Sequence, residues 1–538
     1  MWQHNYTPLA NSLPLSALAA SIPIFVLLFM LGVMRKAAWI SALAGLLGAM
    51  LVAGLVYGMP PAIMVSAFFY GAAQGLFPIG WVVFAAILLY NITVVTGKFE
   101  IVKNSIGNLT SDRRLQALLI AFAFGAFIEG AAGFGTPVAV AAAMLTGLGF
   151  SPFYAGGICL LANTAPVAFG SIGVPIVMLQ KVTGLSLMRL SAGVGRICAP
   201  VSLIVPAYLI MVMGGWKGLM GVFPAAALCG VMFAGTQFLV SNFMGPDLTD
   251  ILSSLAALGS LVLLLKFWKP KDQFKLEGDS PMPPRKEIPL GEALYAWSPF
   301  ILLVICVLTW GILKPELNKH SIVIGWPGLH KLIQKMPPVD LKSEPYAATY
   351  NFDWLSAAGT ACLIASILSA FVLRLSPAKF FKVLGSTAKQ LVFAELTIAL
   401  VVGLASLMNY SGSTGTLGLG FAATGALFPF FSAMLGWLGV FLTGSDTSAN
   451  ALFGNLQVVT AQHLGMNPTL MAASNSAGGV MGKMISLQSV AVASAATSMG
   501  AGEEGKLLRF TLKHSIFLAA VIGMIVMFYA YVAPSLAP

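Results

Sequence analysis

Leu13-Pro-Leu-Ser-Ala-Leu-Ala-Ala-Ser-Ile-Pro-Ile-Phe-Val-Leu-Leu-Phe-Met-Leu-Gly-Val33 contains no charged side chain. As a helix rising 1.5 Å per residue it is long enough to cross a ~30 Å hydrocarbon core. Runs of this kind recur to the C-terminus of the 538-residue chain, which is 58% hydrophobic and 9% charged. A soluble domain carries about 25% charged residues, so much of this surface must face lipid. On the ~20-residue criterion the sequence predicts an all-α polytopic membrane protein with roughly 12–14 transmembrane helices, some interrupted. Residues 1–14 lack a basic stretch ahead of the first apolar run, so Leu13–Val33 reads as a retained span, not a cleaved signal.

The net charge of +11 does not indicate nucleic acid. The basic residues sit in short linkers between apolar runs, the usual cytoplasmic bias of membrane proteins, and no groove of interleaved basic and aromatic residues is visible. Residues 98–114 and 374–389 read as cytoplasmic on this rule, and 503–513 more weakly; 181–196 reads as an amphipathic interfacial segment. Cys159, Cys198, Cys229, Cys306 and Cys362 lie scattered in apolar runs and read as small buried hydrophobes.

The organisation expected is a first transmembrane half at 1–265, a polar linker at 266–296, a connecting span at 297–313, an external loop at 314–354 and a second half at 355–538. The halves echo each other in order. Asn91-Ile-Thr93 parallels Asn409-Tyr-Ser411, Gly125–Gly130 parallels Gly439–Gly444, and Ala162-Asn-Thr-Ala165 parallels Ser474-Asn-Ser-Ala477. Small residues at helix contacts account for part of this. The paired asparagines point further, to two related, inverted repeats built of broken helices or re-entrant hairpins.

Polar, glycine-rich breaks are expected at 129–137, 163–166, 409–415, 443–450 and 474–479. A half-helix starting inside the membrane aims bare N–H groups and its positive dipole end at one place, which suits a carboxylate. Asn163, Thr164, Asn475, Ser476, Asn409 and Ser411 are the candidate substrate-binding donors. Four charges interrupt apolar stretches, Glu129, Glu395, Asp446 and Lys483, and a mid-membrane charge needs a reason because it costs ~2.5–3.5 kcal/mol on insertion scales. Glu129 has no polar neighbour in sequence and is the candidate proton carrier, against a plain interhelical hydrogen bond. Asp446, among Ser445, Thr447, Ser448 and Asn450, has donors to hold it ionised; it faces the cavity, coordinates a cation or pairs with Lys483. Lys483 and Arg196 are the candidates for the substrate carboxylate, Arg196 also fitting an interface anchor, and Glu395 is a helper in coupling.

Enzyme motifs are poor. Residues 477–484 miss a phosphate loop at both ends, with Ala477 for the first glycine and Met484 for Ser/Thr. The five histidines show no metal spacing, and no cofactor is expected. Without a nucleotide-binding domain, an ion gradient must drive transport. The alternatives are a passive anion channel and, behind it, a membrane-embedded enzyme.

Glu129-Gly-Ala-Ala-Gly-Phe-Gly135, Ala162-Asn-Thr-Ala-Pro-Val-Ala-Phe-Gly170, Leu442-Thr-Gly-Ser-Asp-Thr-Ser-Ala-Asn-Ala-Leu-Phe-Gly454 and Gly478-Gly-Val-Met-Gly-Lys-Met-Ile-Ser486 resemble the L-lactate permease family. The likeness extends to Trp2-x-x-x-Tyr6 and Trp297-Ser-Pro299. It implies symport of L-lactate, D-lactate, glycolate and related 2-hydroxy acids with protons in the bacterial inner membrane; sodium coupling and a homo-oligomer stay open. The chain also resembles the wider ion transporter superfamily, in which Ser-Asn-Thr motifs at hairpin tips hold substrate carboxylate; that likeness implies the same role for Asn163-Thr164 and Asn475-Ser476, and favours an elevator-like slide over rocking. Leu487 departs from the family pattern, which usually has Pro there.

Overall fold

The computed structural model of the protein describes residues 1–107, 109–133, 135–272, 274, 276, 288–339, 343–499 and 503–538. Part of the expected 266–296 linker lies outside the described residues. Among those described, helices dominate: α1 (Leu13–Gly32), α2 (Ala38–Leu51), α3 (Pro61–Gln74), α4 (Trp81–Val95), α5 (Lys98–Gly107), α6 (Arg113–Gln116), α7 (Gly125–Ala131), α8 (Thr136–Gly147), α9 (Pro152–Ala162), α10 (Gly170–Thr183), α11 (Leu187–Phe243), α12 (Thr249–Phe267), α13 (Leu290–Leu317), α14 (Ala358–Val372), α15 (Pro377–Ser411), α16 (Ser413–Phe421), α17 (Phe428–Thr443), α18 (Asp446–His463), α19 (Pro468–Lys483), α20 (Leu487–Ala496) and α21 (Glu504–Met527). Several are joined end to end by wider turns, as α6 and α7 are within the rod Arg113–Ala131, which is wholly buried. The chain is thus an all-α, multi-pass membrane protein.

Ten helical rods among the described residues are long and apolar enough to cross a membrane, or eleven if the bent pair around residues 163–166 is one span. This is below the 12–14 read from hydropathy, and fused runs explain much of the difference. α11 has 57 residues and would reach ~85 Å if straight. It folds back at Gly215 (φ 61, ψ −166), so Gly230 lies against the Leu203 backbone and Ser191 Oγ donates to Ser241 O at 2.8 Å. One continuous helical run therefore supplies two antiparallel rods.

The two ends of the molecule differ in kind. At one, Arg114 is fully buried and donates to both oxygens of Asp272 at 2.9 Å, with Lys98 over the Tyr295 ring and Tyr295 Oη donating to Val372 O. This end carries the 98–114 linker, which the positive-inside rule would place in the cytoplasm. The other end carries four short strands, β1 (Trp2–Gln3), β2 (Ile322–Gly325), β3 (Ile333–Gln334) and β4 (Thr349–Phe352). β1 runs parallel to β3, and β2 pairs antiparallel with β4. The N-terminus is thus tied to the 314–354 loop, and His4 reaches the end of α15 through Tyr410 O. The 181–196 segment is not an interfacial helix: it is the end of α10, a left-handed turn at Gly184 and the first turns of α11. Gly184, at φ 70, stops α10 as a left-handed C-terminal residue does.

Breaks appear where glycine permits them. The chain turns left-handed at Gly133 and Gly135 ahead of α8, at Gly412 between α15 and α16, and at Gly444 between α17 and α18. Residues 474–479 are a correction: they lie inside α19, which is unbroken. Asn467 caps its start by accepting from Thr469 and Leu470 N–H, Pro468 fits the first turn, and no proline follows. The glycines serve close packing instead: Gly478 faces the Ala433 backbone, Gly482 that of Trp437, and Gly436 of α17 that of Asn475. Small residues that let helix backbones touch are a common device in lipid.

Candidate functional site

A cavity of about 160 Å³ brings together residues distant in the chain, lined by Glu129, Gly170, Ser171, Val174, Pro175, Thr397, Thr443 to Ser448, Lys483 and Gln488 among others. Helix starts converge on it. α18 begins at Asp446 after the Gly444 turn, with Ser445 accepting from Ser448 N–H. The regular part of α10 begins at Val174-Pro175 after three left-handed residues, Ser171, Ile172 and Gly173. A non-glycine pair in that conformation is costly; here it turns the start of α10 toward the cavity. Gln488 comes from the first turn of α20, which Ser486 caps.

Two of the three expected acids, Glu129 and Asp446, and the expected lysine border this space. Glu129, 4% exposed, accepts from Asn163 Nδ2 at 2.9 Å. A methyl at Gly170 would come within 2.6 Å of Glu129 Oε1, so that glycine is what admits the carboxyl. Asp446, 3% exposed, accepts from Ser476 Oγ at 2.5 Å and from Asn450 Nδ2 at 3.4 Å, and its Oδ1 has no partner. Lys483, at the end of α19, donates to Gly444 O at 2.6 Å. No ion pair joins it to either acid among the described residues, although both are near enough to act on its charge.

Behind this front runs a layer of buried amides and hydroxyls. Asn450 Nδ2 donates to Pro175 O at 3.1 Å, tying α18 to α10. Asn475 Nδ2 donates to Asn450 Oδ1 at 2.9 Å, Gln457 Nε2 to Asn475 Oδ1 at 3.1 Å, and Ser432 Oγ to Gln457 Oε1 at 2.7 Å. Ser432 also bonds Ser474. A network with this many members satisfied holds its side chains in one arrangement.

The structure places the remaining candidates apart from the cavity or behind it. Asn163 and Ser476 bond the acids, Asn475 bonds Asn450 behind Asp446, and none of the three lines the space; Thr164 donates to Leu161 O. Asn409 borders a separate cavity of about 620 Å³ near His4 and Tyr346 and accepts from Asn455. Ser411 bonds Ser413 at 2.7 Å beside it in the chain. Arg196 donates to Asn242 Oδ1 and Leu536 O, both at 2.7 Å, and so ties down the C-terminal tail. Glu395 is half-buried against Gly80, with Oε1 unpartnered, while its neighbours Ala394 and Thr397 reach the cavity. Thr397, Ser171 and Gln488 were missed in the sequence, being single polar residues with no pattern around them. Asp250 was not singled out either: in Gly245-Pro-Asp-Leu-Thr-Asp250 nothing in the sequence announces its burial.

The sequence profile of the L-lactate permease family matches residues 16–533. The L-lactate permease of Bacillus subtilis (strain 168) is 46% identical, covering 97% of this chain and 97% of its own. Glycolate permease GlcA of Escherichia coli (strain K12) is 45% identical over 99% of this chain and 98% of its own, and an L-lactate permease of Salmonella typhimurium is 44% identical over 100% of both. A match that spans the whole chain, at this identity and with the breaks that build the cavity inside it, makes the protein a member of the L-lactate permease family.

Proposed function

We propose that this chain imports L-lactate, D-lactate, glycolate and related 2-hydroxy monocarboxylates across the bacterial inner membrane by proton symport, with the 160 Å³ cavity as the substrate site. The names of its relatives, lactate and glycolate permeases, support the substrate class. The cavity's size suits a small acid: it matches a handful of waters at ~30 Å³ each. Lys483 and the exposed N–H groups at the start of α18 meet the carboxylate, and the surrounding Ser, Thr and Gln groups meet the hydroxyl.

The observation that carries the coupling is the charge content of this cavity: one lysine and two acids. With both acids ionised the site is net negative and repels an entering anion. At 4 Å and an effective dielectric of ~20 one such charge is worth about 4 kcal/mol. A proton on either acid removes that term, so proton and substrate favour each other's binding. Glu129 is the acid assigned to the carried proton. Among the described residues its one hydrogen-bond donor is an asparagine amide, whereas Asp446 has a hydroxyl and an amide.

Proteoliposomes preloaded with unlabelled lactate test this by counterflow, followed by uptake under an imposed pH or sodium gradient. Accumulation on a pH gradient that a protonophore collapses is expected. Accumulation on sodium alone would replace the proton, and equilibration without accumulation would make the protein a channel. Glu129→Gln is expected to keep counterflow and lose pH-driven accumulation.

A further inference from the structure

One buried acid near the site has no role in the scheme above. Asp250, in the first turn of α12, is 1% exposed, and neither carboxylate oxygen has a hydrogen-bond partner. The nearby hydroxyls are committed elsewhere: Ser253 donates to Thr249 O at 2.6 Å and Ser254 to Ile251 O at 2.9 Å. No basic side chain pairs with it among the described residues. A buried carboxylate with neither donor nor counter-cation is held far better as the neutral acid.

Its position is specific. Gly130, the residue after Glu129, is pressed against it: a methyl there would lie 2.8 Å from Asp250 Cβ and 3.0 Å from Ile251 Cγ1. Asp250 therefore packs on the stretch of α7 that carries Glu129, and the two carboxyls act on each other. The other titratable groups around it are the Cys198 thiol from α11 and Asp247 in its own segment. Asp247 borders a different cavity, of about 420 Å³, which Lys181, Lys314, Asn351 and Asp353 also line at the strand-bearing end. Asp250 thus lies three residues along the chain from an acid that lines that cavity, and packs on the residue that follows Glu129.

We propose that Asp250 is a second protonatable acid of the transport cycle, passing protons between the cavity bordered by Asp247 and the Glu129 carboxyl. In the step, the Asp250 O–H bond breaks as an O–H bond forms on ionised Glu129, directly or through one water. Asp250 is then reprotonated from the Asp247 side, so no buried charge persists. This rests on the proton-symport reading.

The test compares wild type, Asp250→Asn and Asp250→Glu in proteoliposomes. Asp250→Asn is expected to retain counterflow of labelled lactate and to lose pH-driven accumulation, by about tenfold for a one-unit gradient, since one unit is a tenfold proton ratio. Asp250→Glu should restore part of it. If wild type accumulates lactate on a pH gradient and Asp250→Asn does so equally, the Asp250 proposal is overturned and the symport reading stands. If wild type accumulates on sodium alone, the symport reading fails and takes Asp250 with it. Should Asp250→Asn not fold, the wild type still decides: dicyclohexylcarbodiimide, which modifies protonated carboxyls in apolar surroundings, should form an adduct at Asp250 that peptide mass mapping detects. No adduct from mildly acid to mildly alkaline buffer would overturn the proposal.

Discussion

Lys483 spends its ammonium on the Gly444 carbonyl, at 2.6 Å, and not on either neighbouring acid. That carbonyl belongs to the left-handed turn from which α18 starts. The same group therefore holds the turn closed and stands beside the cavity, free to turn to an incoming carboxylate. A charged hydrogen bond is worth ~1.5–3 kcal/mol, so Lys483→Met should raise the lactate KM about 10- to 100-fold. Counterflow at several lactate concentrations measures this; an unchanged KM would exclude Lys483 from the site. Glu129, Asp446 and Lys483 were legible in the sequence for one physical reason: charge inside an apolar run is expensive enough to need a use. Asp250 obeys the same rule but went unread, because the fold and not the sequence makes its surroundings apolar.

At the scale of elements, glycine is where sequence and structure part. Gly444, between Thr443 and Ser445, and Gly478, between Ala477 and Gly479, look alike as glycines in small-residue motifs. Gly444 sits at φ 73 and breaks the chain, whereas Gly478 lies in a continuous helix against the Ala433 backbone. Release of the backbone and removal of a side chain are both properties of glycine, and only the neighbouring helix decides which is used. Asn475 was misplaced for this reason: it is a strut behind Asn450, not a hairpin tip. Adding a methyl at Gly478 forces α17 and α19 apart. Gly478→Ala should cost about 1–3 kcal/mol, the usual range for overpacking, read as a lowered Tm in detergent. Gly385→Ala, where nothing lies within 4 Å of the added carbon, should hold or raise Tm, since alanine favours helix by up to ~1 kcal/mol. Equal losses at the two sites would contradict the packing assignment.

At the scale of the whole molecule, the strand-bearing end is closed by contacts that no periodicity announces. Two-residue strands carry no pattern, and the pairing of Trp2 with Ile333 joins the N-terminus to a distant loop. His4 is the key to that closure. It is 6% exposed, with Nε2 donating to Tyr410 O at 2.9 Å and Nδ1 accepting from Tyr6 Oη at 3.1 Å. Burial, aided by the Lys335 charge, pushes its pKa from 6.5 down to about 4. The undocked N-terminus then binds more protons than the docked one between those two values, so docking is stable above pH 6.5 and weakens as pH falls toward 4. A shift of this size is worth at most about 3 kcal/mol, at ~1.4 per unit. Hydrogen exchange of residues 1–6 should accordingly quicken as pH is lowered through that window, after correction for the intrinsic pH dependence of exchange. His4→Gln keeps a donor and an acceptor without a titrating ring. In that variant the corrected exchange should be flat, and a slope equal to that of wild type would mean another group opens this end.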